Sequence, residues 1–107
     1  MDPTIVSLRG EYSAARQHEL RATLRRVSTH PSVIIDATNL SYADDGCLSE
    51  FLRLRHTRAA AGLAPASVAL DENRFGRVFR LLGLNEVFPL VGSGDVLSLR
   101  RPLRAVS

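Results

Sequence analysis

The chain has 107 residues, 45% of them apolar and 23% charged, with a formal net charge of +3. That length and balance describe one ordinary globular domain able to bury a single core rather than a disordered chain. All 14 basic residues are Arg, which excludes lysine-dependent phosphate loops and Schiff-base chemistry and disfavours a phosphoacceptor receiver domain.

No apolar run approaches the roughly 20 residues of a membrane helix. Met1-Asp2-Pro3-Thr4 has no basic segment followed by an apolar core, so a cytoplasmic protein with no membrane partner is expected. Cys47 is the only cysteine, and no Cys/His cluster has zinc-ligand spacing, so neither a disulfide nor a metal site is expected. Cys47 falls in the first turn of a helix beside Asp44 and Asp45, which raise its pKa; it reads as a small buried hydrophobe rather than a nucleophile.

Taken in order, Thr4 to Gly10 alternates in polarity and predicts a strand with Val6 and Leu8 facing in, ended by a turn at Gly10-Glu11. Ser13 is the expected N-cap of a helix over Ala14 to Val27, with Leu20, Leu24 and Val27 on its apolar stripe. Arg16, Glu19, Arg25 and Arg26 lie off that stripe. Pro31 closes the connection, because a residue before proline avoids the helical region. Ser32 to Ala37 holds the β-branched run Val33-Ile34-Ile35 and predicts a central strand. A polar loop over Thr38 to Ala43 and a helix opening at Asp44 or Asp45 follow. Cys47, Leu48, Phe51 and Leu52 form that helix's predicted buried face, and Arg53, Arg55 and Arg58 a solvated one. Gly62 and Pro65 end it.

Ala66 to Leu70 predicts a further strand and Asp71-Glu72-Asn73 the start of a helix with Phe75, Val78, Phe79 and Leu82 inward. Gly83 suits its C-terminus, and Leu84 to Leu90 leads into a last strand. Ser93-Gly94-Asp95 can cap a short final helix carrying Val96, Leu97 and Leu99, before a basic tail at Arg100-Arg101-Pro102-Leu103-Arg104. The tail lacks the charge density of a nucleic-acid or lipid site, and a nucleic-acid partner is not expected. His18 and His30 have no partners in sequence that suggest catalysis.

Two motifs carry a family resemblance. Ile35-Asp36 followed by Ala43-Asp44-Asp45-Gly46-Cys47-Leu48 resembles the strand, loop and Asp-Ser-Ser-Gly-Leu turn of the STAS domain, as in anti-sigma factor antagonists. Leu82-Gly83-Leu84 leading to Phe88 resembles the helix end and following strand of the same fold, and Gly10-Glu11-Tyr12-Ser13 its Gly-Glu-Leu-Asp turn. The resemblance implies an α/β fold in which a mixed sheet of about four strands carries helices mainly on one face. It implies one domain over residues 1–107, with a core of about 4–100 and a basic tail over 101–107.

By the same resemblance the chain is a non-enzymatic module that acts by partner switching on an anti-sigma factor, itself a serine kinase-like protein, with no cofactor. Asp44 stands where the phosphoacceptor hydroxyl would be and Asp45 where the second Ser would be; Ala43 and Ser13 replace the family's acidic neighbours. The expected partner-binding residues are Asp44, Asp45, Gly46, Ser41, Tyr42 and Ser13, with no catalytic and no metal residues, and with switching independent of phosphorylation. A STAS-type small-molecule or nucleotide sensor is the alternative, disfavoured because two carboxylates at a helix N-terminus repel an anion. Thr4 to Gly10 is expected to be an uncovered sheet edge through which two copies, or a partner, pair.

Overall fold

In the computed structural model, which describes residues 3–92 together with Gly94 and Val96, four parallel strands form one sheet in the order β1-β2-β3-β4. They are β1 (Thr4–Tyr12), β2 (Val33–Ala43), β3 (Ser67–Ala69) and β4 (Leu90–Val91). Helix α1 (Gln17–Val27) joins β1 to β2, α2 (Asp45–Ala60) joins β2 to β3, and α3 (Arg74–Leu81) with a short 3₁₀ turn at Leu84–Glu86 joins β3 to β4. Each strand is reached through a helical crossover, which returns the chain in the same direction. The described sheet is therefore parallel throughout, where the sequence suggests a mixed one.

The STAS-like α/β architecture is otherwise as expected. One large core lies between the sheet and the three helices, built from Leu8, Ile35, Leu40, Phe51, Phe79 and Phe88 among others. Its centre is aromatic: Phe51 meets Phe75 and Phe88 edge-on with ring centroids 6.2 and 6.4 Å apart, a favoured geometry for quadrupolar rings. The opposite face carries a smaller cluster of Ile34, Ala69 and Val96. Gly94 and Val96 are helical, while Leu97, Leu99 and the basic tail lie outside the described residues.

Two boundaries differ from expectation. Gly10-Glu11 does not end β1, and Thr38 to Ala43 is not a loop: β1 and β2 stay paired as far as Tyr12 opposite Ala43. The register steps from Ser7–Asp36 to Arg9–Asn39 and from Gly10–Leu40 to Glu11–Tyr42, so β2 bulges twice against β1. Gly10 takes the left-handed conformation at φ 77, which costs a glycine nothing, and its carbonyl accepts the Ser41 hydroxyl at 3.0 Å. A bulge re-aims the strand that carries it, and these two deliver the end of β2 to the start of α2.

Several side chains also depart from their expected faces. Leu52, Val78 and Leu82 are exposed rather than buried, whereas Leu54 fills the core beneath α2 and Gly76 joins Phe75 and Phe79 on the inner face of α3. Arg58 is fully buried instead of solvated. Its guanidinium donates to the carbonyls of Ser28, His30, Pro31 and Ala64 at 2.6 to 3.2 Å, and burial lowers its pKa.

Gly76 sits where α3 crosses its own lead-in, and an added Cβ would collide with the Asp71 carbonyl oxygen. Alanine gains about 1 kcal/mol in helix propensity over glycine. A clash with backbone outweighs that gain, so Gly76→Ala is expected to destabilise by about 1–3 kcal/mol net. Denaturant unfolding with a lowered midpoint and an unchanged slope would show it.

Candidate functional site

The end of β2 and the first turn of α2 form a corner pinned from three sides. The Asp44 amide donates to the Tyr12 carbonyl at 3.1 Å, fixing the helix start against the end of β1. Asp44 has extended backbone and its carboxylate accepts from the Cys47 amide at 3.0 Å, an N-cap that satisfies one of the free donors of the first turn. Cys47 is buried against the Ser13 carbonyl at 3.6 Å. Burial first, and the Asp44 carboxylate second, push its thiol up to about 11, so it is a packing group and not a nucleophile.

The residues expected at the site are brought together here, with unequal roles. Asp44 is half-buried as the cap, and Asp45 is exposed in the first turn of α2. Gly46 lies against α1, where an added Cβ would stand 2.5 Å from Gln17 Oε1. Ser41 is committed to the Gly10 carbonyl, and Ser13 contributes its carbonyl oxygen rather than its hydroxyl to the corner. Tyr42 is half-buried with the Arg74 guanidinium 5.4 Å from its ring centroid, a cation–π contact. Asp36, by contrast, alternates onto the Ile34 face of the sheet, away from the helix layer, so it does not join Asp44 and Asp45. Among the described residues no group of three or more His, Cys, Asp or Glu is placed to hold a metal ion.

Beside the corner runs a groove of about 280 Å³ between the start of α2 and α3. Tyr42, Asp44 and Asp45 form one end, and Leu48, Val78 and Leu82 provide an apolar wall. Val78 and Leu82 are 36% and 57% exposed, with Leu81 at 87% and Leu52 at 45% near by on α3 and α2. Exposed apolar patches rimmed by polar groups occur at protein contact surfaces and in ligand-binding grooves. Asn73 positions it: its side-chain carbonyl caps α3 on the Gly76 amide at 2.9 Å while its amide donates to the Leu40 carbonyl at 3.0 Å. Sequence reasoning missed the groove because Val78 and Leu82 sit at core-like spacing.

This corner and groove belong to a small α/β domain in which a capped helix start lies beside an exposed apolar strip. The chain belongs to the family described as "Mlab, STAS domain", whose profile matches residues 2–92. Among solved structures it resembles an anti-sigma factor antagonist from Mycobacterium paratuberculosis with a TM-score of 0.70 and 21% identity. That match covers 91% of this chain and 84% of the other, and at this identity it speaks for the fold. No curated protein matches the chain. No helix among the described residues is long and apolar enough to cross a membrane.

Proposed function

We propose that this chain is a non-enzymatic regulatory module of the cytoplasm that binds an anti-sigma factor through the α2 start and the adjoining groove. The observation that carries this is the juxtaposition of two carboxylates, one of them the helix cap, with the exposed Val78 and Leu82. A partner with a basic group beside an apolar side chain would satisfy both halves, the charge setting register and the burial supplying affinity. Asp44 occupies the acceptor place and offers no hydroxyl, so association does not answer to a serine kinase. The Ser41 hydroxyl is tied to the Gly10 carbonyl.

The test is capture of the partner from the source cell with wild-type protein, Leu82→Asp and Asp44→Ser. Wild-type protein is expected to capture it, Leu82→Asp to lose it, and Asp44→Ser to bind yet gain a phosphate on incubation with the captured kinase. Capture unchanged by Leu82→Asp, or phosphate mapped anywhere between residues 40 and 50 of wild-type protein by intact mass and peptide analysis, would sink the proposal. Asp44→Ala should also cost the lost cap, about 1 kcal/mol, read as a lowered denaturation midpoint.

A further inference from the structure

On the opposite flank of α2 the charge changes sign. Residues 100° apart around a helix put Leu48 and Leu52 toward α3, and Glu50, Arg53, Leu54 and Thr57 toward α1. There they face Arg21, Leu24, Arg25 and Ser28 across a groove of about 420 Å³. Leu24 and Leu54 are buried and make its floor. Three guanidinium groups, Arg21, Arg25 and Arg53, line the groove with one carboxylate, Glu50, which pairs with Arg21 and Arg53.

Glu50 is itself buried and already fully engaged. Arg21 reaches it with two nitrogens at 2.9 to 3.2 Å, and Gln17 donates to it at 3.0 Å. Arg53 touches it with one nitrogen at 3.3 Å and remains 61% exposed. Arg25 has no carboxylate partner among the described residues. Two positive charges therefore stand in excess over an apolar floor, in a space of the size small ligands occupy.

We infer that the α1–α2 groove is a binding site for a small phosphate monoester with an apolar body, its phosphate held between Arg25 and Arg53 and its body laid on Leu24 and Leu54. Guanidinium forks match phosphate oxygens in pairs, and a dianion balances the excess of two. An acidic protein segment is a less suitable occupant, because the groove is short and offers only two exposed cations, of which Arg53 keeps a single contact to Glu50. The site is independent of the anti-sigma surface, lying on the other side of α2, and Asp44 plays no part in it.

Amide chemical shifts followed on titration with phenyl phosphate at constant ionic strength test the site. Saturable shifts confined to residues 21–28 and 50–57 are expected, with inorganic phosphate weaker because it lacks the body. Arg25→Ala and Arg53→Ala should each weaken phenyl phosphate about tenfold. Arg25→Lys should keep part of the affinity, and Asp44→Ala should leave it unchanged. Both arginines are exposed, so the alanine variants keep the core intact, and a wild-type-like spectrum without ligand confirms it. Linear shifts, shifts centred elsewhere, equal affinity in the alanine variants, or binding only to a polyanion such as heparin would each overturn the inference.

Discussion

Replacing Arg58 with methionine is expected to destabilise the protein by about 3 kcal/mol, a large share of a small domain's total. The Arg58 fork holds together two crossovers: the turn from α1 into β2, through Ser28, His30 and Pro31, and the turn from α2 into β3, through Ala64. Among the described residues no carboxylate neutralises it. Its charge is instead balanced by carbonyl dipoles, including the last turn of α1, where the helix presents partial negative charge. Methionine fills the space and removes the cost of burying a cation, yet it leaves four carbonyls to find other donors. The second effect dominates, since each unsatisfied buried acceptor costs about 1–3 kcal/mol. Lysine keeps the charge but gathers its donors at one point and cannot span four carbonyls, so Arg58→Lys should recover only part of the loss. Urea unfolding of the two variants reads this directly; a midpoint unchanged in Arg58→Met would refute the role.

That arginine also shows what the sequence made legible. Cys47, Phe51, Leu54 and Arg58 fall at steps of four, three and four, which is the buried stripe of α2. Continued strictly, the stripe lands on Arg58, but charge alone sorts it with Arg53 and Arg55 on the solvent side. A buried arginine needs several acceptors converging from distant segments, and those acceptors are backbone carbonyls, invisible as residue types. Leu52, Val78 and Leu82 fail in the opposite sense: their spacing suits a core, but no layer covers that side of α2 and α3 among the described residues. Gly76 carries its own clue, since a glycine inside a helix is disfavoured unless something approaches closely.

The strand boundaries failed for a different reason. Asn39, Leu40 and Ser41 alternate exposed, buried, exposed, a strand pattern hidden under loop-like residue types. The polar members survive in a strand because β1 runs alongside and supplies Gly10 as the partner of Ser41. Tertiary pairing thus overrides the weak local preference. The α2 start was legible to within one residue, because Asp44-Asp45-Gly46 before an apolar stripe states a helix start by itself, and the structure makes Asp44 the cap. The groove was not, because it depends on Asn73 holding α3 to the end of β2.

Glu50 gives the clearest dependence on pH. Hydrogen bonds from Arg21, opposed by burial and reinforced by Gln17, hold its carboxyl down at about 2, below the ordinary value of 4.5. A carboxyl with its folded pKa lowered contributes stability that is fully present above the unfolded value. That stability is lost as pH falls from about 5 toward 2. Arg21 is about a third exposed and Arg53 more so, so solvent screens part of the attraction. The contribution at neutral pH is therefore about 2 kcal/mol rather than the full equivalent of the shift. Glu50→Gln keeps the shape and loses the charge: it should unfold at a lower denaturant concentration at pH 7, while its deficit against wild type should close as pH approaches 2. Glu19, held low by Arg16 at an exposed position, is present in both proteins and cancels in the comparison. Glu50→Ala also strips Gln17 of its acceptor and should cost about 3 kcal/mol. A deficit for Glu50→Gln that stays constant between pH 7 and 2.5 would place the contribution in packing instead of charge, and the ion pair would then have no part in holding α1 to α2.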